Sequence, residues 1–181
     1  HNEEEIFISK IHKKIKKQES KLLTVIISRH INRTKKIIKE MNEKKLQTVI
    51  HSANKKLKKN TDIYLVDTYG ETKKFYKYSK TVFLGGSLPS SLKKGGQNPI
   101  EPARLGSTII HGPNVSNFTE VYKLFNKKKI SYQAKNVHEL KRLVERLIVE
   151  PESKKNKYNE IKNIGSNVLK KTYSEIVCYI K

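Results

Sequence analysis

Ile63-Tyr64-Leu65-Val66-Asp67-Thr68-Tyr69-Gly70-Glu71 sets the pattern for the whole chain. Four apolar residues with β-branched and aromatic members, closed by a polar turn with a glycine, read as a strand buried on both faces. Residues 71–79 then read as a helix. The same unit recurs outward in both directions. Upstream, residues 22–27 form an apolar run that ends at Ser28-Arg29-His30, followed by a helical stretch over 33–43 and the short strand Thr48-Val49-Ile50. Downstream, Thr81-Val82-Phe83-Leu84 ends in Gly85-Gly86-Ser87, Thr108-Ile109-Ile110 ends in His111-Gly112-Pro113, and Ile130-Ser131-Tyr132 forms the last strand. Helices are predicted over 3–17, from Asn98, from about Asn117, over 136–149, and as one or two C-terminal helices at about 151–181. Strand and helix alternate throughout. This predicts an α/β fold, a Rossmann-like parallel sheet with helices on both faces, in one domain spanning 1–181. Right-handed crossovers then bring the carboxyl ends of the strands to one edge, where such folds bind ligands.

Composition narrows the function classes. No apolar run approaches the roughly 18 residues of a membrane-spanning helix, and the acidic start His1-Asn2-Glu3-Glu4-Glu5 has no signal-peptide character. One cysteine, Cys178, forms no internal disulfide and no cysteine metal cage, which fits a reduced setting. The six histidines are scattered, none at metal-ligand spacing; His12, His51 and His138 lie in polar stretches and read as solvated. Thirty-nine Lys and Arg against 17 Asp and Glu give a net charge of +22. Nucleic acid, an anionic membrane surface and a plain lysine bias all account for that charge. The lysines come in short runs along the whole chain, without the one-faced basic patch and interleaved aromatics of a nucleic-acid module.

Three loops converge on the predicted binding edge. Arg29, just past a strand end beside Ser28 and His30, offers a forked cation suited to phosphate. In the second loop, Asp67 or Thr68 is placed to cap the following helix, and Gly70 lets a ligand approach main-chain groups near Tyr69 and Glu71. In the third, Asn98, Pro99, Ile100 and Glu101 have the spacing of a capping box, with Asn98 as cap and Glu101 three residues on. Gly95 and Gly96 precede that helix and keep its mouth clear for a phosphate. A helix start alone would also account for Asn98, Pro99 and Glu101. No nucleophile and base stand together.

The order of these segments resembles the C-terminal domain of Kdo (3-deoxy-D-manno-octulosonic acid) transferases, enzymes of the two-domain GT-B fold. The resemblance is carried by Ser28-Arg29-His30, Asp67-Thr68-Tyr69-Gly70-Glu71, Gly85-Gly86-Ser87-Leu88, the stretch from Gly95-Gly96 to Glu101-Pro102, and Gly112-Pro113 with Asn117-Phe118. It runs from His1 to about Ile148, and His1 to Glu5 matches the end of a family Ser-Thr-His-x-Gly-Glu-Glu stretch, so the chain is expected to begin mid-protein. The resemblance implies a CMP-Kdo donor, a lipid A precursor as acceptor, and lipopolysaccharide synthesis at the cytoplasmic face of the bacterial inner membrane. It implies inversion at the Kdo anomeric carbon, no cofactor and no metal. Ser28 and Arg29 are expected at the donor phosphate, Tyr69, Gly70 and Glu71 at the cytidine, and Asn98, Pro99, Ile100 and Glu101 at phosphate and ribose. His30, Gly86, Gly95 and Gly96 are secondary pocket candidates. The family's general base is a glutamate of the N-terminal domain, so no catalytic residue is expected in this chain, which alone should be inactive. An anionic membrane surface is the expected further partner, and nucleic acid is not. Gln97 stands where the family has histidine, Glu3 where it has glycine, and the loop over 88–94 reads as longer than usual. A nucleotide-sugar epimerase of the same fold and a basic nucleic-acid-binding module are the alternatives, and neither is expected to carry these motifs together.

Overall fold

A computed structural model of the chain describes residues 2–89 and 95–180. After helix α1 (Asn2–Ile15) come strand β1 (Thr24–Ile27), a 3-10 turn at Ile31–Arg33, α2 (Thr34–Glu43), β2 (Thr48–Ile50) and β3 (Ile63–Val66). Then follow α3 (Thr72–Tyr78), β4 (Thr81–Leu84), α4 (Ile100–Arg104), β5 (Thr108–His111), a 3-10 turn at Ser116–Phe118, α5 (Thr119–Lys127), β6 (Ser131–Gln133), α6 (Val137–Val149) and α7 (Lys154–Ile180). All strand pairing is parallel, as the alternation predicts. The strands form two three-stranded sheets, ordered β1-β3-β2 and β4-β5-β6. The single sheet expected from the sequence is thus divided, with β1 at one sheet's edge and β4 at the other's. The longer loop expected over 88–94 falls mostly outside the described residues.

The central strands β3 and β5 are the most deeply buried, while the edge strands are mostly half-buried. In β5, Ile109 packs with Tyr122 and Phe125 of α5, while its neighbour Ile110 packs with Ile11 and Ile15 of α1 and Leu140 and Leu147 of α6. Successive side chains of a strand point to opposite faces, so one Ile-Ile pair serves two cores. In the other sheet Ile26, Ile63 and Leu65 pack against Ile37 and Met41 of α2. A single helix of 27 residues, α7, takes the place of the one or two expected at the C-terminus. Its first turns are anchored: Lys154 Nζ donates to the carbonyls of Tyr76 (3.3 Å), Lys77 (2.9 Å) and Ser79 (2.8 Å), satisfying the free end of α3. Among the described residues, no helix is long and apolar enough to cross a membrane.

His12 corrects the sequence reading. It is 2% exposed, with Nδ1 2.8 Å from Thr24 Oγ1 and Nε2 3.3 Å from Asp62 Oδ1, and Lys16 joins the same carboxylate at 2.8 Å. The helix turns this polar residue inward, where partners from β1 and the approach to β3 satisfy it. Burial lowers the pKa of His12 despite Asp62, and burial lowers that of His111 as well. The unfolded chain takes these two protons near pH 6.5, whereas the folded chain takes them only at lower pH. Folding stability should therefore hold above about pH 6.5 and fall below it, by at most about 1.4 kcal/mol per pH unit for each histidine. Thermal melts at pH 8, 7, 6 and 5 test this, and equal midpoints at pH 7 and pH 5 would contradict it.

Candidate functional site

The carboxyl end of β1 turns sharply because Ser28, buried, donates its hydroxyl to the carbonyl of His30 at 3.0 Å. Two arginines follow, with different roles. Arg33 forks onto Glu5 of α1, Nη2 to Oε2 at 2.6 Å and Nη1 to Oε1 at 3.2 Å, and so ties the turn to α1. Arg29 is exposed and makes no hydrogen bond or ion pair among the described residues.

The loop after β3 is braced throughout. Asp67 accepts from the Ser52 N–H at 3.0 Å and from its hydroxyl at 2.6 Å. Burial opposes it, yet these bonds hold the Asp67 carboxyl below its ordinary pKa. Glu71 accepts from Lys74 Nζ at 2.5 Å and from the Thr68 hydroxyl at 3.0 Å, and pairs with Nε2 of His51. The Lys74 and Thr68 bonds hold its pKa at about 2. Neither Asp67 nor Thr68 caps α3, contrary to the sequence reading: Asp67 is taken by Ser52, and the Thr68 hydroxyl donates to the Glu71 carboxylate. His51, read as solvated, is half-buried in this cluster. Between the braces, Tyr69 (74% exposed) and Gly70 stay open, and Gly70 has φ +80 with free space around it. That left-handed backbone is the reason for glycine here.

The loop after β4 holds an anion of its own. The N–H groups of Gly86, Ser87 and Leu88 donate to the Glu4 carboxylate at 2.7, 3.2 and 3.2 Å, and Glu4 is only 3% exposed. Successive N–H groups in a turn make an anion cradle, and α1 fills it. Gly86 therefore serves α1 first.

Near Asn98 the structure again departs from the expected geometry. Asn98 Oδ1 accepts from the Ile100 N–H at 2.9 Å, two residues on, and α4 starts at Ile100. This turn displaces the helix start, so the capping box does not form, and the Glu101 carboxylate makes no hydrogen bond among the described residues. The helix is five residues long; Pro99 and Pro102 carry no N–H and Ala103 N–H bonds Pro99 O, so Glu101 N–H is the one free donor of the first turn. Gly95 and Gly96 serve packing: both have positive φ, and a Cβ on Gly95 would lie 2.5 Å from the Asn117 side chain. Tyr122 fixes the intervening loop by donating to Gln97 O at 2.9 Å.

These loops open on one cavity of ≈ 1120 Å³ that runs between the edge strands β1 and β4. Ser28, Arg29, Tyr69, Gly70, Asn98 and Glu101 line it, joined by His30. Glu71, Pro99, Ile100, Gly86, Gly95 and Gly96 do not. Glu101 also puts its charge near partly buried Tyr76, whose pKa is pushed up to about 12 by burial and then by that carboxylate. Thr72 lines the cavity without having been singled out in the sequence, and Thr68 and Gln97, read there as a helix cap and as a departure from the family, line it too. Among the described residues no cluster of His, Cys, Asp or Glu is arranged to hold a metal ion.

No protein-family model matches the chain. A 3-deoxy-D-manno-octulosonic acid transferase of Rickettsia bellii is 34% identical over 170 residues, covering 94% of this chain and 38% of that protein. One of Haemophilus influenzae is 30% identical over 170 residues, again 93% of this chain and 38% of the relative. The chain belongs to the Kdo transferase family. It spans 38% of the length of these two Kdo transferases. In fold it is similar to the crystal structure of the C-terminal CMP-Kdo binding domain of WaaA from Acinetobacter baumannii, with a TM-score of 0.81 at 24% identity over 91% of this chain and 84% of that one. The α/β architecture of this Kdo transferase chain is thus that of a known domain, matched across nearly its whole length.

Proposed function

We propose that this chain binds CMP-Kdo and serves as the donor-binding part of an inverting glycosyltransferase that delivers Kdo to a lipid A precursor. The observation that carries the reading is the convergence of Ser28, Arg29, Tyr69, Gly70, Asn98 and Glu101 on one cavity, in a Kdo transferase relative. Arg29 contacts the donor phosphate and, as the glycosidic bond to Kdo breaks, neutralises the charge that collects on departing CMP. Ser28 and the Glu101 N–H supply neutral contacts beside it. The open main chain at Tyr69 and Gly70 faces the cytosine, and the unpaired Glu101 carboxylate accepts from ribose hydroxyls. The acceptor and the general base belong to the remainder of the protein. The +22 charge draws the assembly to the anionic leaflet in which the acceptor lies.

CMP titration followed by NMR tests the reading. Localised shifts at Arg29, Tyr69, Gly70 and Glu101 are expected, together with a cooperative thermal melt and no Kdo transfer by the chain alone. Diffuse shifts spread over lysines, removed by salt and matched by any polyanion, would overturn it.

A further inference from the structure

The residues after β2 were not singled out by the motifs, yet they hold the loop that reaches the cavity from β3. Ser52 takes Asp67 with both its N–H and its hydroxyl, at 3.0 and 2.6 Å. His51 bridges in the other direction, with Nδ1 2.8 Å from the Tyr64 hydroxyl and Nε2 on the Glu71 carboxylate. An ionised carboxylate only accepts, so Nε2 carries the hydrogen toward Glu71, and the Tyr64 O–H donates to Nδ1 in the neutral ring. Phe75 closes the cluster edge-on, its ring 5.5 Å from that of His51 and 5.9 Å from that of Tyr64. Asp67 and Glu71 are the two ends of the loop, and both are tied to consecutive residues of a neighbouring strand end. With its carboxylate shared among His51, Thr68 and Lys74, Glu71 does not line the cavity; Tyr69 and Gly70, between the two ties, do.

We propose that His51 and Ser52 are positioning residues: they clamp the two ends of the Asp67 to Glu71 loop and so present Tyr69 and Gly70 to the ligand. This deepens the donor-binding reading and rests on it for the ligand's identity, although the clamp is a property of the protein without ligand. It also recasts Glu71 as a residue that shapes the loop. A preset loop binds more tightly because ordering it on binding costs free energy.

Two substitutions separate the two arms of His51. His51→Asn retains a polar group near Nδ1, facing Tyr64, and loses the reach to Glu71, whereas His51→Gln places an amide N–H near Nε2 and keeps the Glu71 bond. The readouts are CMP affinity and the backbone order of residues 67–71 from 15N relaxation. His51→Asn should weaken CMP binding about tenfold and lower the order of the loop, while His51→Gln should stay close to the wild type in both. Equal affinity and equal loop order in all three proteins would overturn the clamp. If the wild type does not bind CMP, the donor reading fails and loop order alone decides: a drop confined to His51→Asn supports the clamp, and no drop overturns it. Should His51→Asn fail to fold, Ser52→Ala at the exposed end of the clamp carries the same expectation for Asp67 and its neighbours.

Discussion

Replacing Arg29 by alanine is expected to weaken CMP binding by about ten- to a hundredfold while the melting curve stays in place. The reason lies in what this arginine does without ligand. Arg29 has no hydrogen bond or ion pair among the described residues, so its removal breaks nothing that holds the fold. In the proposed complex it would meet a phosphate, and charge-assisted bonds of that kind are worth roughly 1.5–3 kcal/mol. Arg29→Lys keeps the charge and loses the fork, and should fall between the wild type and Arg29→Ala. Arg33 supplies the control. Four positions further on, it is bound to Glu5 through both nitrogens of its fork, so Arg33→Ala should lower the melting temperature. Calorimetric titration with CMP beside a thermal melt for each variant separates the two arginines. Wild-type affinity in Arg29→Ala would move the phosphate elsewhere in the cavity.

What the sequence made legible was local. The strands stand where continuous apolar runs predict them, because a strand buried on both faces has no polar position to interrupt it, as Ile109 and Ile110 illustrate. The order of the loops was legible as well, since each strand end in a parallel sheet delivers its loop to the same edge. The pairings between distant polar residues were not. His12 meets Asp62 fifty positions away, and Glu4 meets Gly86 eighty-two positions away. Periodicity says which face of α1 points inward, yet which donors wait there is decided by tertiary placement. The same limit explains His51, whose polar neighbours in sequence suggest solvent while its neighbours in space are Tyr64, Glu71 and Phe75. The helix start near Asn98 was misplaced for a different reason. The spacing from Asn98 to Glu101 fits a capping box, but Asn98 closes a tighter turn onto the Ile100 N–H, and α4 begins at Ile100, one residue later than a cap at Asn98 would place it. The proposed donor site consequently rests on Arg29 and the open loop at Tyr69 and Gly70, more than on a helix mouth.

Glu4→Ala is the substitution expected to cost the most stability. The Glu4 carboxylate is the acceptor for three N–H groups in a loop that water scarcely reaches: Gly86 and Leu88 flank Ser87, and Ser87 and Leu88 are fully buried. The alanine variant removes the acceptor that the three N–H groups share, and leaving a buried donor unsatisfied costs about 1–3 kcal/mol. Allowing for partial relaxation, a loss of about 3 kcal/mol and a fall in melting temperature of about 6–12 °C follow for a domain of this size. Glu4→Gln retains one carbonyl oxygen in the cradle and should lose less than half as much. The cradle itself supplies a sharper test. Three converging N–H groups left empty make a site for a small carboxylate, so formate or acetate should raise the melting temperature of Glu4→Ala and leave that of the wild type unchanged, with an equal concentration of chloride as control. If Glu4→Ala melts with the wild type, or if chloride restores it as well as formate does, the three N–H groups find water instead, and α1 is held to the sheet by its apolar face, by Glu5 with Arg33 and by His12 with Thr24 and Asp62.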